Sequence, residues 1–99
     1  MRLEFDWDPA KGTRNLAKHG VSFDQVMPVF RDVLSRTLFD EEHSAEEERW
    51  ITIGLSGADL LLVVHTLDQI QVDLVAIRII SARRPTARER RDYLEGTTP

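Results

Sequence analysis

Cysteine is absent from the 99-residue chain, and its absence excludes three kinds of chemistry. The protein can have no disulfide bond, no thiolate nucleophile and no zinc site with cysteine ligands. A domain of this size without a disulfide fits a reducing compartment. We therefore expect the protein to act in the cytoplasm.

The sequence also lacks a long apolar run. A membrane-spanning helix needs about 18 apolar residues in succession, and the apolar runs at 60–64 and 74–77 are far shorter. The first eight residues alternate charged and apolar side chains, whereas a signal peptide has an apolar core. We expect neither secretion nor membrane insertion.

Several catalytic motifs are missing as well. The chain has no glycine-rich phosphate loop, no G-x-S-x-G elbow and no clustered pair of aspartates for two-metal chemistry. Its three histidines, at positions 19, 43 and 65, are too scattered for a metal-binding motif such as H-E-x-x-H. We expect no metal and no other cofactor.

The charge of the chain is unevenly distributed. The net charge of −4 argues at first against a nucleic-acid partner. However, residues 1–36 carry six basic and five acidic groups, residues 37–76 carry one and nine, and residues 77–99 carry six and three. Because screening limits a charge's field to about 10 Å, a local partner responds to the local charge. A mildly acidic chain can therefore carry a basic nucleic-acid site near its C-terminus.

Periodicity and capping signals predict a single α+β domain spanning residues 1–99. Two N-terminal helices and one C-terminal helix should pack on a mainly antiparallel sheet of four to five strands. The apolar runs at 60–64 and 74–77 indicate central strands that are buried on both faces. The predicted elements are a strand at 2–7, a helix that ends at Gly20, a second helix to about Asp32 with a kink or short first segment at Pro28, strands at 35–39, 49–55, 59–66 and about 72–81, and a helix that begins after Thr86 and ends near Glu95.

Six arginines lie within 14 positions near the C-terminus: Arg78, Arg83, Arg84, Arg88, Arg90 and Arg91. Such a run can be a solvated helix face with Arg–Glu pairs. It can also be a phosphate site, because guanidinium groups bind phosphate oxygens in bidentate fashion and keep their charge. Arg78 carries most weight, since it lies in an otherwise apolar strand and must either open onto a cleft or pair with a carboxylate.

Three further side chains are candidates for proton transfer. Glu89 and Tyr93 are spaced i, i+4 and share one face of the last helix. A capping box with Thr86 alone explains Glu89, however, and Tyr93 can equally pack its ring on the sheet. His65 ends an apolar strand, where a histidine is more often a hydrogen-bonded residue at the edge of the core than a catalyst. Both interpretations stay open for each residue.

Four blocks of residues occur in an order that is typical of one known family. They are Trp7-Asp8, Lys11, Asn15 and Lys18-His19-Gly20 with Val21 and Phe23; Glu47-Glu48-Arg49 and Ile51 to Ser56; the strand that ends at His65-Thr66; and Arg78 to Arg83 with Thr86, Glu89-Arg90 and Tyr93. Through these blocks the chain resembles the BrnT family of toxins from bacterial type II toxin-antitoxin modules. It departs from that family in a longer stretch between His65 and Arg78, and in Pro85, which stands where alanine is common.

The resemblance implies a RelE-like ribonuclease fold, RNA cleavage that stops translation, and neutralisation by a BrnA-type antitoxin. Operator DNA would be contacted mainly by the antitoxin. In a metal-independent reaction of a 2′-OH with the adjacent phosphorus, we assign charge stabilisation to Arg78 and Arg83. The base would be Glu89 or His65, and the acid His65 or Tyr93. The residues assigned to flanking phosphates are Lys18, Arg84, Arg88 and Arg91.

Two other functions would use the same arginines. One is a non-catalytic module that binds nucleic acid or an acidic partner, with steep salt dependence and no cleavage products. The other is a degenerate toxin that only binds the antitoxin and helps to repress its operon. The acidic segment 40–48 is most simply a solvated loop, but it can also shield or orient the basic face, or meet a basic stretch of the antitoxin.

Overall fold

A computed structural model describes residues 1–96 as three α-helices and a six-stranded mixed sheet. The strands are β1 (Arg2–Asp6), β2 (Arg36–Phe39), β3 (Trp50–Ser56), β4 (Asp59–His65), β5 (Asp68–Gln71) and β6 (Leu74–Arg83). The helices are α1 (Pro9–His19), α2 (Phe23–Val26) and α3 (Ala87–Glu95), with short 3-10 helices at Met27–Arg31 and Glu41–His43. Residues 97–99, which the predicted domain includes, lie outside the described residues. No helix within residues 1–96 is long and apolar enough to cross a bilayer.

The helix signals that the sequence contains are confirmed. The Asp8 side chain accepts a hydrogen bond from the Ala10 amide, and α1 ends at Gly20, which has a positive φ of 69°. Both predicted capping boxes form, at the starts of α2 and α3. The chain changes from α2 to a 3-10 helix at Met27, directly before Pro28, so the predicted short first segment is also confirmed.

The sheet is mainly antiparallel, as predicted, but it has more strands than the prediction gave. Its order is β1-β6-β4-β3-β2, with β5 also paired to β6, and only the β1–β6 pair among the described strands is parallel. The prediction of four to five strands missed β5, which forms a hairpin with the first residues of β6 in the long stretch between His65 and Arg78. All four residues of β5 are exposed and three of them are polar, so the segment lacks the apolar alternation that marks a half-buried strand.

A β-bulge in β6 determines the direction of its side chains. His65 is paired with Ile79 and Val64 with Ser81, so Ile80 is an extra residue on β6. The side chains of β6 that join the main core belong to Val75, Ile77, Ile79 and Ala82. Arg78 precedes this bulge and Arg83 follows it, and both therefore point away from the core.

The two faces of the sheet are covered by different helices. The main core lies under α1, α2 and the first 3-10 helix, with Val21, Phe23, Val26 and Val29 packed on Leu61 and Val63 of β4 and on the core side chains of β6. The opposite face carries α3, whose Glu89 and Tyr93 border the same cavity as Ile53 and Leu62. We call this second surface the open face, because α3 covers only one end of it.

A buried asparagine fixes α1 to the sheet. The Asn15 amide donates to the carbonyls of Val21 and Ala82, both at 2.9 Å, and its oxygen accepts from the Ala82 amide at 3.1 Å. The pairing of β1 with β6 ends at Arg78, so Ala82 has no strand beside it on that edge. Asn15 therefore supplies the hydrogen bonds that a neighbouring strand would supply.

We predict that Asn15→Ala lowers the free energy of unfolding by about 2–4 kcal/mol, because it leaves three buried backbone groups without partners. Urea denaturation measures the change. Thr13→Ala on the exposed side of the same helix is the control, with an expected change within about 0.5 kcal/mol. Equal losses in the two variants would contradict the anchoring role of Asn15.

Candidate functional site

The open face has an apolar floor with arginines at its margins. Strand register aligns Arg36, Ile53, Leu62 and Arg83 in one row across β2, β3, β4 and β6. The next row contains Leu38, Ile51, Val64 and Ser81. A cavity of about 200 Å³ lies between the first row and α3. Arg36 is the basic residue that lines this cavity, and α3 contributes Glu89, Asp92 and Tyr93 to it.

Arg83 and Glu89 form the best-defined polar contact on this face. The guanidinium Nη1 and Nη2 donate to Oε1 and Oε2 of Glu89 at 2.8 and 3.0 Å. Glu89 also accepts from the Thr86 amide, so the capping box and the ion pair use the same carboxylate. Hydrogen bonds from Arg83 hold the pKa of Glu89 below its ordinary value, although desolvation acts in the opposite direction. Glu89 is therefore ionised at neutral pH.

One edge of the Arg83 guanidinium stays available for a ligand. Arginine has five N–H donors. In Arg83, Nη1 contacts Glu89 and the Arg84 carbonyl, and Nη2 contacts Glu89. Within residues 1–96 the Nε–H and the second Nη2–H have no partner, and these two donors lie side by side. They match the two oxygens of a phosphate in the bidentate geometry that arginine favours.

The other basic residues assigned to RNA binding differ in whether they have a carboxylate partner. Arg84 approaches Asp59, with 3.4 Å between Nη1 and Oδ1. Arg88 and Arg91 are exposed on α3, and Lys18 is exposed on α1. The structure therefore brings Arg83, Arg84 and Glu89 together. It does not bring Lys18 to them, because Lys18 lies on α1, which borders a separate groove with Ile80 and Ser81.

Arg78 both pairs with a carboxylate and opens onto a cleft. Its guanidinium contacts the Glu47 carboxylate, and the side chain is about half exposed. The cleft, of about 430 Å³, has carboxylates from Asp6, Glu47, Glu48 and Asp68 in its walls. One guanidinium among four carboxylates is a poor environment for an RNA phosphate. Among the described residues, no three His, Asp or Glu side chains are grouped as metal ligands would be.

The acidic segment 40–48 is more ordered than a solvated loop. Asp40 is buried and accepts from the His43 ring, and the Ser44 hydroxyl donates to the Asp40 carbonyl. From this turn Glu47 reaches Arg78 on the open face. These contacts favour the second interpretation of the segment, in which it orients a basic residue.

Arg78 and Arg83 lie on the same face of the sheet but too far apart to bind one phosphate. Five residues separate them along β6, which corresponds to roughly 16 Å between their Cα atoms. Glu47 holds one guanidinium and Glu89 the other. The structure therefore does not bring the two arginines predicted for charge stabilisation to one phosphate.

His65 lies inside the protein. Its side chain points to the core, and its ring packs edge-on against Phe30 with 4.8 Å between centroids. Nδ1 is 3.0 Å from the Thr66 carbonyl, which can only accept, so Nδ1 carries the proton. Nε2 then accepts from the Thr52 hydroxyl at 2.7 Å, and Thr52 in turn accepts from Thr37. The structure favours the core-edge interpretation of this histidine.

Tyr93 is also buried, against Asp32. Its hydroxyl donates to Oδ2 of Asp32, and the same carboxylate accepts from the amides of Leu34 and Leu55. Burial, together with the hydrogen bond to Asp32, raises the pKa of Tyr93 to about 12. Desolvation raises the pKa of Asp32, but its three hydrogen bonds outweigh that effect and the net shift is downward. The structure favours the ring-packing interpretation of Tyr93.

Sequence reasoning missed Asp32, Glu47 and Asp59 as partners of the site. Asp32 joins the end of the first 3-10 helix to β3 and α3, which lie 23 and 61 residues further along the chain. Glu47 and Asp59 reach their arginines across 31 and 25 residues. No local signal marks such contacts. Only the acidic composition of segment 40–48 indicated that a carboxylate from it would face the basic surface.

We predict that His65 stays neutral at a pH where an exposed histidine is protonated. Burial lowers its pKa below the ordinary value of about 6.5, while the hydrogen bond to Thr66 opposes this shift. Below about pH 6.5 the unfolded state therefore binds a proton at His65 more readily than the folded state does. The free energy of unfolding should fall as the pH is lowered through this range. The test is NMR titration of the ring C–H signals of His65. A pKa of His65 at or above the ordinary value of about 6.5 would contradict the buried neutral state.

Comparison with known proteins assigns the chain to a family. Comparison with curated proteins finds no match. The family model described as "Ribonuclease toxin, BrnT, of type II toxin-antitoxin system" matches residues 7–89 of the 99. The match contains α1, β6 and the first residues of α3, and it ends at Glu89 itself. The chain therefore belongs to the BrnT family of ribonuclease toxins of type II toxin-antitoxin systems.

Proposed function

We propose that this toxin cleaves RNA at the Arg83–Glu89 pair and thereby inhibits translation. The observation that carries the proposal is the geometry of Arg83, which holds Glu89 on one edge and leaves a second pair of donors available. A phosphate bound on the second edge would lie next to the Glu89 carboxylate. A cation and an ionised base beside one phosphodiester are the minimum for attack by a 2′-OH.

In the proposed reaction the 2′-oxygen attacks the adjacent phosphorus and the bond to the 5′-oxygen breaks. Glu89 accepts the 2′-OH proton, and Arg83 stabilises the charge that grows on the phosphorane oxygens. The products are a 2′,3′-cyclic phosphate and a 5′-hydroxyl. Neither step requires a metal ion.

The leaving 5′-oxygen takes its proton from water in this proposal. His65 and Tyr93, the two acids that the sequence suggested, are buried and already hydrogen-bonded to Thr66 and Asp32. We therefore assign them a positioning role. His65 fixes the packing of β3 against β4, and Tyr93 fixes α3, which carries Glu89, against Asp32.

Membership of the BrnT family supports further proposals about the compartment, the partner and the fold type. We infer that the toxin acts in the cytoplasm, where translation takes place, and that a BrnA-type antitoxin neutralises it and makes the contacts to operator DNA. We also infer that its six-stranded sheet is a variant of the RelE-like fold. Arg84, Arg88 and Arg91 would hold phosphates beside the cleaved one without reading the base sequence.

The first test is to remove Arg83. Arg83→Ala should lower the cleavage rate of purified toxin by a factor of about 100 or more, because it removes both the charge stabilisation and the positioning of Glu89. Arg83→Lys should restore little of the rate, since an ammonium group cannot hold two ligands on two planar edges. Cleavage is measured in EDTA on a fluorescent RNA, with identification of the product termini.

The control for this test is Arg31→Ala, an exposed arginine on the first 3-10 helix. It should cleave at the wild-type rate. Thermal unfolding of each variant distinguishes loss of chemistry from loss of fold. Wild-type cleavage by folded Arg83→Ala, or fragments with 5′-phosphates, would refute the proposed site.

A second prediction separates Arg78 from Arg83. Because Arg78 is held by Glu47 in an acidic cleft, we expect it to contribute at most one phosphate contact away from the reacting bond. Arg78→Ala should raise KM by roughly threefold and leave kcat within about twofold. Steady-state rates over a series of RNA concentrations measure both quantities. A loss of kcat comparable with that of Arg83→Ala would instead place Arg78 at the reacting phosphate.

A binding-only function is the second candidate, and the burial of both His65 and Tyr93 favours it. Without an exposed acid the protein could retain the antitoxin contact and lose turnover. RNA incubated with the toxin in EDTA decides between the two functions. Discrete fragments support the ribonuclease, whereas salt-sensitive binding with intact RNA supports the binding module.

A further inference from the structure

Helix α1 carries charges of one sign only. Its charged residues are Lys11, Arg14 and Lys18, with His19 at its last position, and it contains no Asp or Glu. All four side chains are exposed, and within residues 1–96 none of them has an ion-pair partner. The arginines of the proposed cleavage site differ in this respect, since Arg83 and Arg84 both have carboxylate neighbours.

These four side chains line a groove between α1 and β6. The groove has a volume of about 320 Å³, and Ile80 and Ser81 of β6 form its other wall. Its shape follows from the sheet. Pairing with β1 stops at Arg78, and Asn15 holds α1 against the remaining free edge of β6. Lys11, Arg14 and Lys18 follow one another at intervals of three and four residues, so they share one face of α1 beside the groove.

The groove and the proposed cleavage site are linked by the free edge of β6. Ser81 lines the groove, and it also lies in the second row of the open face with Val64 of β4. Arg83 follows two residues later on the same strand. An RNA strand that leaves the groove would therefore have to pass round this edge, across Ile80 and Ser81, to reach Arg83 on the open face.

We propose that the groove between α1 and β6 binds the sugar-phosphate backbone of the RNA strand outside the cleaved bond. This inference rests on the proposed ribonuclease function, because it concerns the same substrate. Lys11, Arg14 and Lys18 span about 10 Å along the helix, a length that suits an extended strand. They supply charge without base recognition, as backbone contacts do.

The lining of the groove favours a nucleic acid over an acidic protein partner. Protein interfaces depend on buried aromatic or apolar anchors at their centre. This groove has Ile80 as its one apolar lining residue, and the rest are basic or polar. Cations with hydroxyl and amide groups are sufficient for a phosphate backbone.

The test compares two double variants with equal charge change. Arg14→Gln/Lys18→Gln removes two groove cations, whereas Arg2→Gln/Arg31→Gln removes two exposed cations elsewhere. The probe is a 2′-O-methyl RNA of about 20 nucleotides, which cannot be cleaved by a 2′-OH, and binding is measured by fluorescence anisotropy over a series of salt concentrations. We expect the groove variant to lose roughly tenfold in affinity at low salt and to reduce the slope of log K against log salt by about 1.4.

The control variant should keep the wild-type slope, and both variants should bind a probe of about 4 nucleotides equally, since that length fits the Arg83 site alone. Equal slopes in the two double variants would overturn the proposal. So would a groove variant that binds long RNA normally and loses its antitoxin complex, because the groove would then be a protein interface. Absence of RNA fragments from the wild-type toxin would refute the cleavage function and leave the measured groove binding intact.

Discussion

One extra residue in β6 determines which side chains share a surface. Before the extra residue Ile80, the side chains of β6 at positions 75, 77 and 79 face the core. After it, Ala82 faces the core and Arg83 points to the open face. In an unbulged strand Arg83 would share the core face with Ile79, where an unpaired guanidinium is costly to bury. The other edge of β6 has no strand beyond Arg78, where pairing with β1 ends, and α1 covers it through Asn15. The direction of Arg83 thus depends on the bulge, and the position of α1 depends on where β1 ends.

The charge arrangement explains how an acidic chain can carry a basic surface. Glu47, Glu89 and Asp59 each contact an arginine of the C-terminal segment. These pairs are partly exposed and therefore contribute little to stability, so a phosphate can replace a carboxylate at small cost. Five acidic residues of segment 37–76 lie outside these pairs and outside the Arg78 cleft: Asp40, Glu41, Glu42, Glu46 and Asp73.

Local signals predicted the helices, and long-range contacts limited the prediction of the site. The helix caps at Asp8, Ser22 and Thr86 form hydrogen bonds with residues at most three positions away. Such local contacts can be predicted from the sequence. The sequence also predicted that Arg78 opens onto a cleft or pairs with a carboxylate. An isolated charge in an apolar strand must be either solvated or paired. Strand β5 was missed because an exposed polar strand has no periodic pattern, and Asp32 because its partners lie far along the chain. The prediction that Arg78 and Arg83 act on one phosphate treated neighbours in sequence as neighbours in space.

In the proposed reaction Glu89 would combine three roles whose requirements conflict: helix cap, partner of Arg83 and general base. As the third residue of a capping box it must accept the Thr86 amide, and as the partner of Arg83 it must be ionised. Both contacts lower its pKa, which weakens it as a general base. The same contacts hold the carboxylate still beside the edge of Arg83 where a phosphate fits, and correct placement of a base can outweigh a loss of basicity. A phosphate that binds there would share the Arg83 guanidinium with Glu89. The hydrogen bonds from Arg83 to Glu89 would then weaken. The carboxylate then becomes more basic when substrate is bound, so the ion pair that restrains the base in the free toxin is weakened by the substrate itself.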